Sequence, residues 1–186
     1  SQKLEFYAQD QWWEMATDFP YLGNATNSDI AGGSRGLIAG GDSSNTIEYI
    51  TIESAGNGID FGDLAEIIYQ QASFGSNTRS ICSGGAGPAT NPSDVIEYLT
   101  FASTGNSTDF GNLSQARRNC SGVSNQTRGV AAGGGNANEL TVYNTMDYVT
   151  IASTGNAVDF GDSVLARSGV QGTSNSIRGI FKGGAS

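Results

Sequence analysis

The stretch RGVAAGGGNANELTVYNTMDYVTIASTGNAVDFGD, residues 128–162, decides how this chain folds. It holds three markers that recur along the chain in one order. The first is an Arg, a small residue and an apolar run ending in Gly-Gly: RGLIAGG at 35–41, RSICSGG at 79–85, RGVAAGG at 128–134 and RGIFKGG at 178–184. The second joins an acid to a Tyr: TIEYITI at 46–52, VIEYLTF at 95–101 and TMDYVTI at 145–151. The third is DFGD at 60–63, DFGN at 109–112 and DFGD at 159–162, spaced by 49 and 50 residues. A fixed period of this size marks a repeat architecture in which each unit is one supersecondary element.

Each marker reads as a strand or a turn. The Arg motif is a short apolar run that enters a tight Gly-Gly turn. In TIEYITI, Ile47, Tyr49 and Thr51 point one way and Glu48, Ile50 and Ile52 the other, the alternation of a strand. Gly-Asn in AGNG (55–58), TGNS (104–107) and TGNA (154–157) supplies the positive φ of a hairpin turn. A further strand lies between each Asp-Phe-Gly and the next Arg motif, as at Asn119–Val123. Each unit is therefore four short antiparallel strands, here a to d, with the Arg motif on b, the acid-Tyr motif on c and Asp-Phe-Gly on d.

Four-stranded units of about fifty residues resemble kelch repeats. The Gly-Gly that ends strand b, the Tyr of strand c, the aromatic of strand d and the Ala-Arg after it (Ala116-Arg117, Ala166-Arg167) carry that resemblance. Phe61, Phe110 and Phe160 stand where kelch repeats usually carry Trp. The Asp-Phe-Gly-Asp wording is more similar to the Gly-rich kelch-like repeats of phage tail fibre proteins. The resemblance covers most of residues 30–186 and implies a virion or extracellular setting, with other virion or fibre subunits as partners.

Counting strands sets the expected closure. Units run from about Ser28 to Asp63, on to Asn112, and on to Asp162, and only strands a and b follow. An open half unit leaves unpaired edges. KLEFYAQDQWWEM at 3–15 offers the missing pair: Leu4-Glu5-Phe6 mirrors Ile47-Glu48-Tyr49, and Trp12 mirrors Phe61. The expectation is an all-β, four-bladed kelch-like β-propeller with antiparallel four-stranded blades. Residues 1–20 form an N-terminal hairpin, either a clasp that closes the last blade or part of a trimeric stalk. Residues 21–186 carry the propeller repeats. As a clasp, Lys3–Met15 pairs beside Ile177–Gly183.

Composition narrows the function. There are 18 acidic against 9 basic side chains, a formal charge of -9. Such a surface repels phosphates, so no nucleic-acid partner is expected. No apolar run reaches the roughly 18–20 residues of a membrane helix, so no membrane insertion is expected either. The chain has no histidine, which removes the commonest general base and metal ligand. Asp60 with Asp63 recurs as Asp159 with Asp162 and as Asp109 with Asn112. A catalytic carboxylate pair would be unique, so these acids read as scaffold. No enzyme activity, cofactor or metal is expected.

Arg35, Arg79, Arg128 and Arg178 begin strand b, and Asp60, Asp109 and Asp159 begin strand d at what reads as the same end of the unit. An Arg-carboxylate bridge within or between blades is expected there. Cys82 and Cys120 fall at positions held elsewhere by Ile38, Ala131 and Phe181, and by Val170. They read as small core residues, a disulfide between neighbouring blades being the alternative. Sequons stand at Asn24, Asn106, Asn112, Asn119 and Asn125.

What varies between units points to the binding surface. The b–c connection is short in the first unit (DSSN, 42–45) and longer in the second (AGPATNPSD, 86–94) and third (GNANELTVYNT, 135–145). Alternating strand directions put the b–c and d–a loops on one face. Asn91, Asn136, Asn138, Glu139 and Tyr143 gather there, with Arg117, Arg118 and Arg167 from the d–a side. Amides beside an aromatic suit sugars, and loops on a rigid scaffold carry binding. The expected partner is a host surface glycan or receptor, with a homo-oligomer also open; a purely structural virion or extracellular filament subunit that assembles through blade edges or the N-terminal hairpin, and a polysaccharide-degrading enzyme, are the alternatives.

Overall fold

The computed structural model describes residues 35–138 and 140–186, together with the pairing of strands 4–8 and 11–15. Among the described residues all the regular structure is β. β1 (Leu4–Ala8) and β2 (Gln11–Met15) form a hairpin. The first repeat gives a three-stranded sheet of β3 (Arg35–Gly41), β4 (Ser44–Thr51) and β5 (Ile59–Asp63). The second is a four-stranded sheet of β6 (Ala72–Gly75), β7 (Arg79–Ser83), β8 (Val95–Thr100) and β9 (Thr108–Asn112). The third repeats it with β10 (Ser121–Ser124), β11 (Arg128–Ala132), β12 (Thr145–Thr150) and β13 (Val158–Asp162). β14 (Ser168–Ser174) and β15 (Gly179–Ala185) form a last hairpin. Every pairing is antiparallel between strands adjacent in sequence, so the expected a–b–c–d order is the order observed. Strand a of the first repeat, expected within 28–34, lies outside the described residues.

The Asp-Phe-Gly motif is a β-bulge. Glu97 faces Asp109 while its neighbour Ile96 faces Gly111, which leaves Phe110 as the extra residue. The same shift occurs at Phe61 and Phe160. A bulge bends its strand and re-aims a side chain. Here it turns the ring inward against the Tyr of strand c: Tyr49–Phe61, Tyr98–Phe110 and Tyr148–Phe160 make edge-to-face pairs with centroids 6.1, 6.0 and 6.2 Å apart. The Arg of strand b lies on the same Tyr, with Arg35, Arg79 and Arg128 at 4.8, 4.5 and 4.4 Å from the ring centroids. Each of the three repeats thus stacks Arg on Tyr on Phe, two contacts worth about 0.5–2 kcal/mol apiece.

This geometry corrects the expected Arg-carboxylate bridge. Arg79 lies opposite Thr100, whereas Asp109 lies opposite Glu97, three residues farther along strand c and one strand beyond it. The separation is the same in the other repeats, so Arg35 and Arg128 do not meet Asp60 and Asp159. The free Nη of Arg79 instead crosses to the next repeat and donates to the Ile151 carbonyl at 3.0 Å; Arg35 donates likewise to Phe101. Asp60, Asp109 and Asp159 are exposed.

The sheets bury their apolar faces against one another. Ile47, Phe61, Leu64 and Ile68 of the first repeat close on Cys82 and Leu99 of the second. Ile81, Ile96, Phe110 and Leu113 close in turn on Ala131, Val149 and Ile151 of the third. Each fully buried Leu or Ile contributes roughly 1.5–3 kcal/mol. The a strands β6, β10 and β14 lie side by side. There the Ser124 hydroxyl donates to the Gly75 carbonyl at 2.7 Å and accepts from its N–H at 3.1 Å; Ser174 holds Ser124 in the same way at 2.8 and 3.2 Å. A cavity of about 350 Å³ is lined by these strands together with Arg35, Gly36 and Leu37, so four repeats border one space.

On the opposite edge, each Gly-Asn segment docks on the d strand of the repeat before it. Gly105 and Ser107 donate to the Phe61 and Asp63 carbonyls at 2.7 and 2.9 Å, and Gly155 and Ala157 to those of Phe110 and Asn112 at 2.7 and 2.8 Å. The Asn side chains finish the edge: Asn106 Oδ1 accepts from the Asp63 N–H and Asn156 Oδ1 from the Asn112 N–H, both at 3.1 Å. This close approach explains the Gly of Asp-Phe-Gly. A Cβ on Gly62 or Gly111 would lie 2.4 or 2.5 Å from the backbone of Gly105 or Gly155. Gly161, the third copy, has nothing within 4 Å of that position.

The two ends of the chain differ from expectation in one detail. In the hairpin, Phe6 faces Trp13 and Glu5 faces Glu14 without a register shift. Phe6 corresponds to Tyr49, which faces Ile59, so Trp13 takes the place of Ile59. Trp12 is therefore not the counterpart of Phe61, because the hairpin lacks the bulge that turns that ring inward. β1–β2 and β14–β15 are each described as two-stranded sheets. The expected pairing of Lys3–Met15 beside Ile177–Gly183 is not among the described strand pairings, and the two hairpins stand as separate sheets.

Candidate binding face

Strand alternation delivers the b–c and d–a loops to one end of the sheets, and backbone hydrogen bonds fasten them together there. Within the second repeat, Gly85 donates to Arg117 O at 2.9 Å and Arg117 donates to Ser93 O at 3.0 Å. In the third, Gly134 donates to Arg167 O at 2.8 Å and Arg167 donates to Tyr143 O at 3.2 Å. Neighbouring repeats are joined by reciprocal pairs, Tyr69 with Ala86 at 2.8–2.9 Å and Arg118 with Gly135 at 2.9–3.1 Å. The same end of each repeat uses a left-handed residue before strand a: Gln70, Asn119 and Gly169 have φ of 59, 54 and 71°. The loops therefore sit on a backbone-bonded platform.

The expected site residues divide on that platform. Asn91 is exposed at the tip of the second b–c loop, before a cis peptide to Pro92. Asn138 is exposed, and its Oδ1 accepts from the Leu140 N–H at 3.2 Å. Asn136 is half-buried, and its Oδ1 accepts from the Thr141 N–H at 3.3 Å. These two amides shape the third loop. Leu140 stands out beside them, 85% exposed, and Tyr143 is half-buried. Glu139 lies outside the described residues. Arg118 is half-buried. Arg167 is half-buried, donates to the Gly183 carbonyl at 3.3 Å and lines a cavity of about 210 Å³ with Ala132, Leu165 and Phe181.

Arg117 does not belong to the face. It is fully buried beneath the loops, where Nη1 meets Asp147 Oδ2 at 3.0 Å and Nη2 donates to the Ala131 carbonyl at 3.1 Å. Asp147 also accepts from the Ser114 N–H at 3.1 Å and from its hydroxyl at 2.7 Å. The acid of strand c reaches back to the preceding repeat, and Glu97 does the same, accepting from the Ala65 N–H at 3.1 Å as well as from Ser107 Oγ at 2.8 Å. The acids that carry weight are thus those of the acid-Tyr motif, and not those of Asp-Phe-Gly. Glu48, the copy with no described repeat before it, is exposed.

The two thiols are buried and free. Burial pushes the Cys82 thiol up to about 12, with the Glu97 charge adding to the rise and a hydrogen bond with Ser73 opposing it. Burial also raises Cys120, against the lowering charge of Arg117. Neither is a poised nucleophile, since reactivity follows the thiolate. Among the described residues no group of three His, Cys, Asp or Glu side chains is placed to hold a metal ion. No helix of the described structure is long and apolar enough to cross a membrane.

No family model matches this chain, and no curated protein matches it. Among solved structures it is similar to the structure of YjhT, with a TM-score of 0.69 at 8% identity over 82% of this chain and 55% of that one. At that identity the likeness is one of fold, and the chain spans little more than half the length of YjhT. The fold it supports is all-β, with antiparallel sheets of a kind compatible with a propeller.

Proposed function

We propose that the repeats close into a four-bladed kelch-like propeller that acts as a non-enzymatic binding module on a virion or outside the cell. Its ligand is a surface glycan or a glycosylated receptor, taken on the face where the b–c and d–a loops meet. One observation carries this reading. The platform under the loops is bonded in the same way in the second and third repeats, while the loops on it differ in length and sequence. A constant support with variable loops is the usual arrangement of recognition surfaces. On these loops Asn91 and Asn138 offer exposed amides and Tyr143 a half-buried aromatic ring, the kinds of group that hydroxyl-rich, C–H-faced ligands need. The resemblance to tail-fibre repeats favours the same setting, with other fibre subunits as partners.

Glycan-array binding of the intact chain tests the proposal. A glycan bound by the wild type and lost in Tyr143→Ala or Asn138→Ala, with the melting temperature unchanged, supports it. Binding that survives both changes and the replacement of Asn91 removes this face from the ligand. Turnover of a polysaccharide would replace the binding reading with a catalytic one.

A further inference from the structure

The third repeat ends in an unfinished seam. β15 is the b strand of a fourth unit, and in the second and third repeats a b strand pairs with a c strand. Beside β15 lies a crevice of about 410 Å³ lined by Val130, Met146 and Phe160 on one wall and by Ile177, Arg178 and Phe181 on the other. Phe160 is 48% exposed, whereas Phe61 and Phe110, each covered by the following repeat, are 2% exposed. The first repeat presents the matching face. Ile52 is 64% exposed, while its counterpart Ile151, packed against the repeat before it, is 1% exposed. Two strands of c and d type are the piece that would cover such a seam.

Three side chains at the seam specify what those strands must bring. Arg178 is the counterpart of Arg35, Arg79 and Arg128, each of which lies on a strand-c Tyr; among the described residues Arg178 has no ring beneath it. Arg167 is the counterpart of Arg117, which holds the strand-c acid Asp147; among the described residues Arg167 meets no carboxylate. Phe160 needs the apolar residue that follows the Tyr, which is Val149 where the third repeat covers Phe110. The requirement reads acid, aromatic, apolar on consecutive residues. Glu5-Phe6-Tyr7 supplies the acid and the aromatic, with a second ring in the place of the apolar residue, on a strand already paired to a second strand in β1–β2. The connection from Met15 to Arg35 is long enough to reach, at roughly 3.3 Å per extended residue.

We propose that the open edge of β15 is a strand-addition site for the β1–β2 hairpin of the same chain. β1 pairs antiparallel to β15 with Phe6 opposite Ile180, as Tyr148 is opposite Val130 in the third repeat. In that register Glu5, Phe6 and Tyr7 take the strand positions that Asp147, Tyr148 and Val149 hold in the third repeat, and Arg167, Arg178 and Phe160 take those of Arg117, Arg128 and Phe110. This rests on the four-bladed reading above and gives its last blade a register. It also leaves one place uncovered. Gln9-Asp10 between the two strands is not a Gly-Asn pair, so the hairpin's sequence brings to Gly161 no counterpart of the docking at Gly62 and Gly111.

Oxidative cross-linking of a Phe6→Cys, Ile180→Cys chain tests this, because the native thiols are buried. A disulfide formed within the monomer, read by intact mass and gel mobility, is the expected result. A disulfide-linked dimer would give the site to the hairpin of a second copy and overturn the same-chain assignment, while leaving the four-bladed ring in place. No cross-link in either form would overturn both the hairpin assignment and the ring, and would leave the glycan-array test of the loop face unaffected. Charge exchange gives a second readout. Glu5→Arg should lower the melting temperature, and adding Arg167→Glu should restore most of the loss. A double variant no more stable than the single one would overturn the pairing.

Discussion

Arg117 and Asp147 meet across the boundary between the second and third repeats, both fully buried, with Nη1 and Oδ2 3.0 Å apart. Removing one partner of such a pair leaves a charge in a dry site, which costs about 3–5 kcal/mol. Asp147→Ala also strips the Ser114 N–H and hydroxyl of their acceptor. Glu97 occupies the same place one repeat earlier, but there Ile68 stands where the Arg would be. Glu97→Ala orphans an N–H and a hydroxyl but no cation. Chemical denaturation should therefore rank Asp147→Ala well below Glu97→Ala in stability. Equal losses would mean that the buried Arg finds other compensation.

The glycines of Asp-Phe-Gly give a matched comparison. Gly111 and Gly161 both have φ in the left-handed range, 144 and 123°, so a side chain is strained at either one. Only at Gly111 does the new Cβ run into the backbone of the next repeat, 2.5 Å from Gly155. Gly111→Ala should thus incur the shared strain and also disturb the docking of Gly155–Ala157, whereas Gly161→Ala incurs the strain alone. Melting temperatures of the two variants decide this. A drop at Gly161 as large as that at Gly111 would show that backbone strain, and not inter-repeat docking, explains the motif.

The strand plan was legible in the sequence because three markers per period fix the four strands and their order. Register was not. The c–d connection returns strand d with Asp109 opposite Glu97, three residues along strand c from the level of Arg79, and no composition rule reveals that register. Hence the Arg of strand b was paired with the wrong group. Arg117 misleads for a different reason: it lies in a d–a loop and carries a charge, both signs of an exposed residue. The contrary sign was present in the repeat itself. Ile68 holds the same position in the first unit, and an apolar residue at a repeat position marks an interior one. The Tyr that precedes each Phe was read as a strand residue only, and its place beneath the Arg needed coordinates.

Cys82 gives a prediction about alkaline pH. Its thiol ionises at 9.0 in an unfolded chain and only at about 12 in the fold. Below pH 9 both states keep the proton and the thiol adds no pH dependence. Above it the unfolded chain releases a proton that the folded one retains, so stability falls as pH rises from 9 towards 12. Cys82→Ala removes this component. Denaturant midpoints measured from pH 8 to 10.5 should fall more steeply for the wild type than for the variant. Parallel curves would show that the thiol is accessible to hydroxide in the native state.

Arg79 does two things at once, and substitutions separate them. Its guanidinium lies 4.5 Å from the centroid of the Tyr98 ring, and its Nη1 donates to the Ile151 carbonyl in the next repeat at 3.0 Å. A planar, forked cation can stack and donate together, which a Lys ammonium cannot. Arg79→Lys retains the charge and part of the cation–π attraction but gives up the planar stack. Arg79→Ala loses everything and leaves the Ile151 carbonyl without its side-chain donor. A hydrogen bond to a charged group contributes about 1.5–3 kcal/mol and the ring contact about 0.5–2 kcal/mol. Ala should therefore cost more than Lys, and Lys more than nothing. Had the sequence-based bridge to Asp109 been the real partner, Lys would serve nearly as well as Arg, and Asp109→Asn would be as harmful as either. The geometry instead predicts that Asp109→Asn, an exposed change two strands away, leaves the unfolding midpoint close to that of the wild type. A fall in midpoint for Asp109→Asn as large as that for Arg79→Ala would return the carboxylate to the assignment.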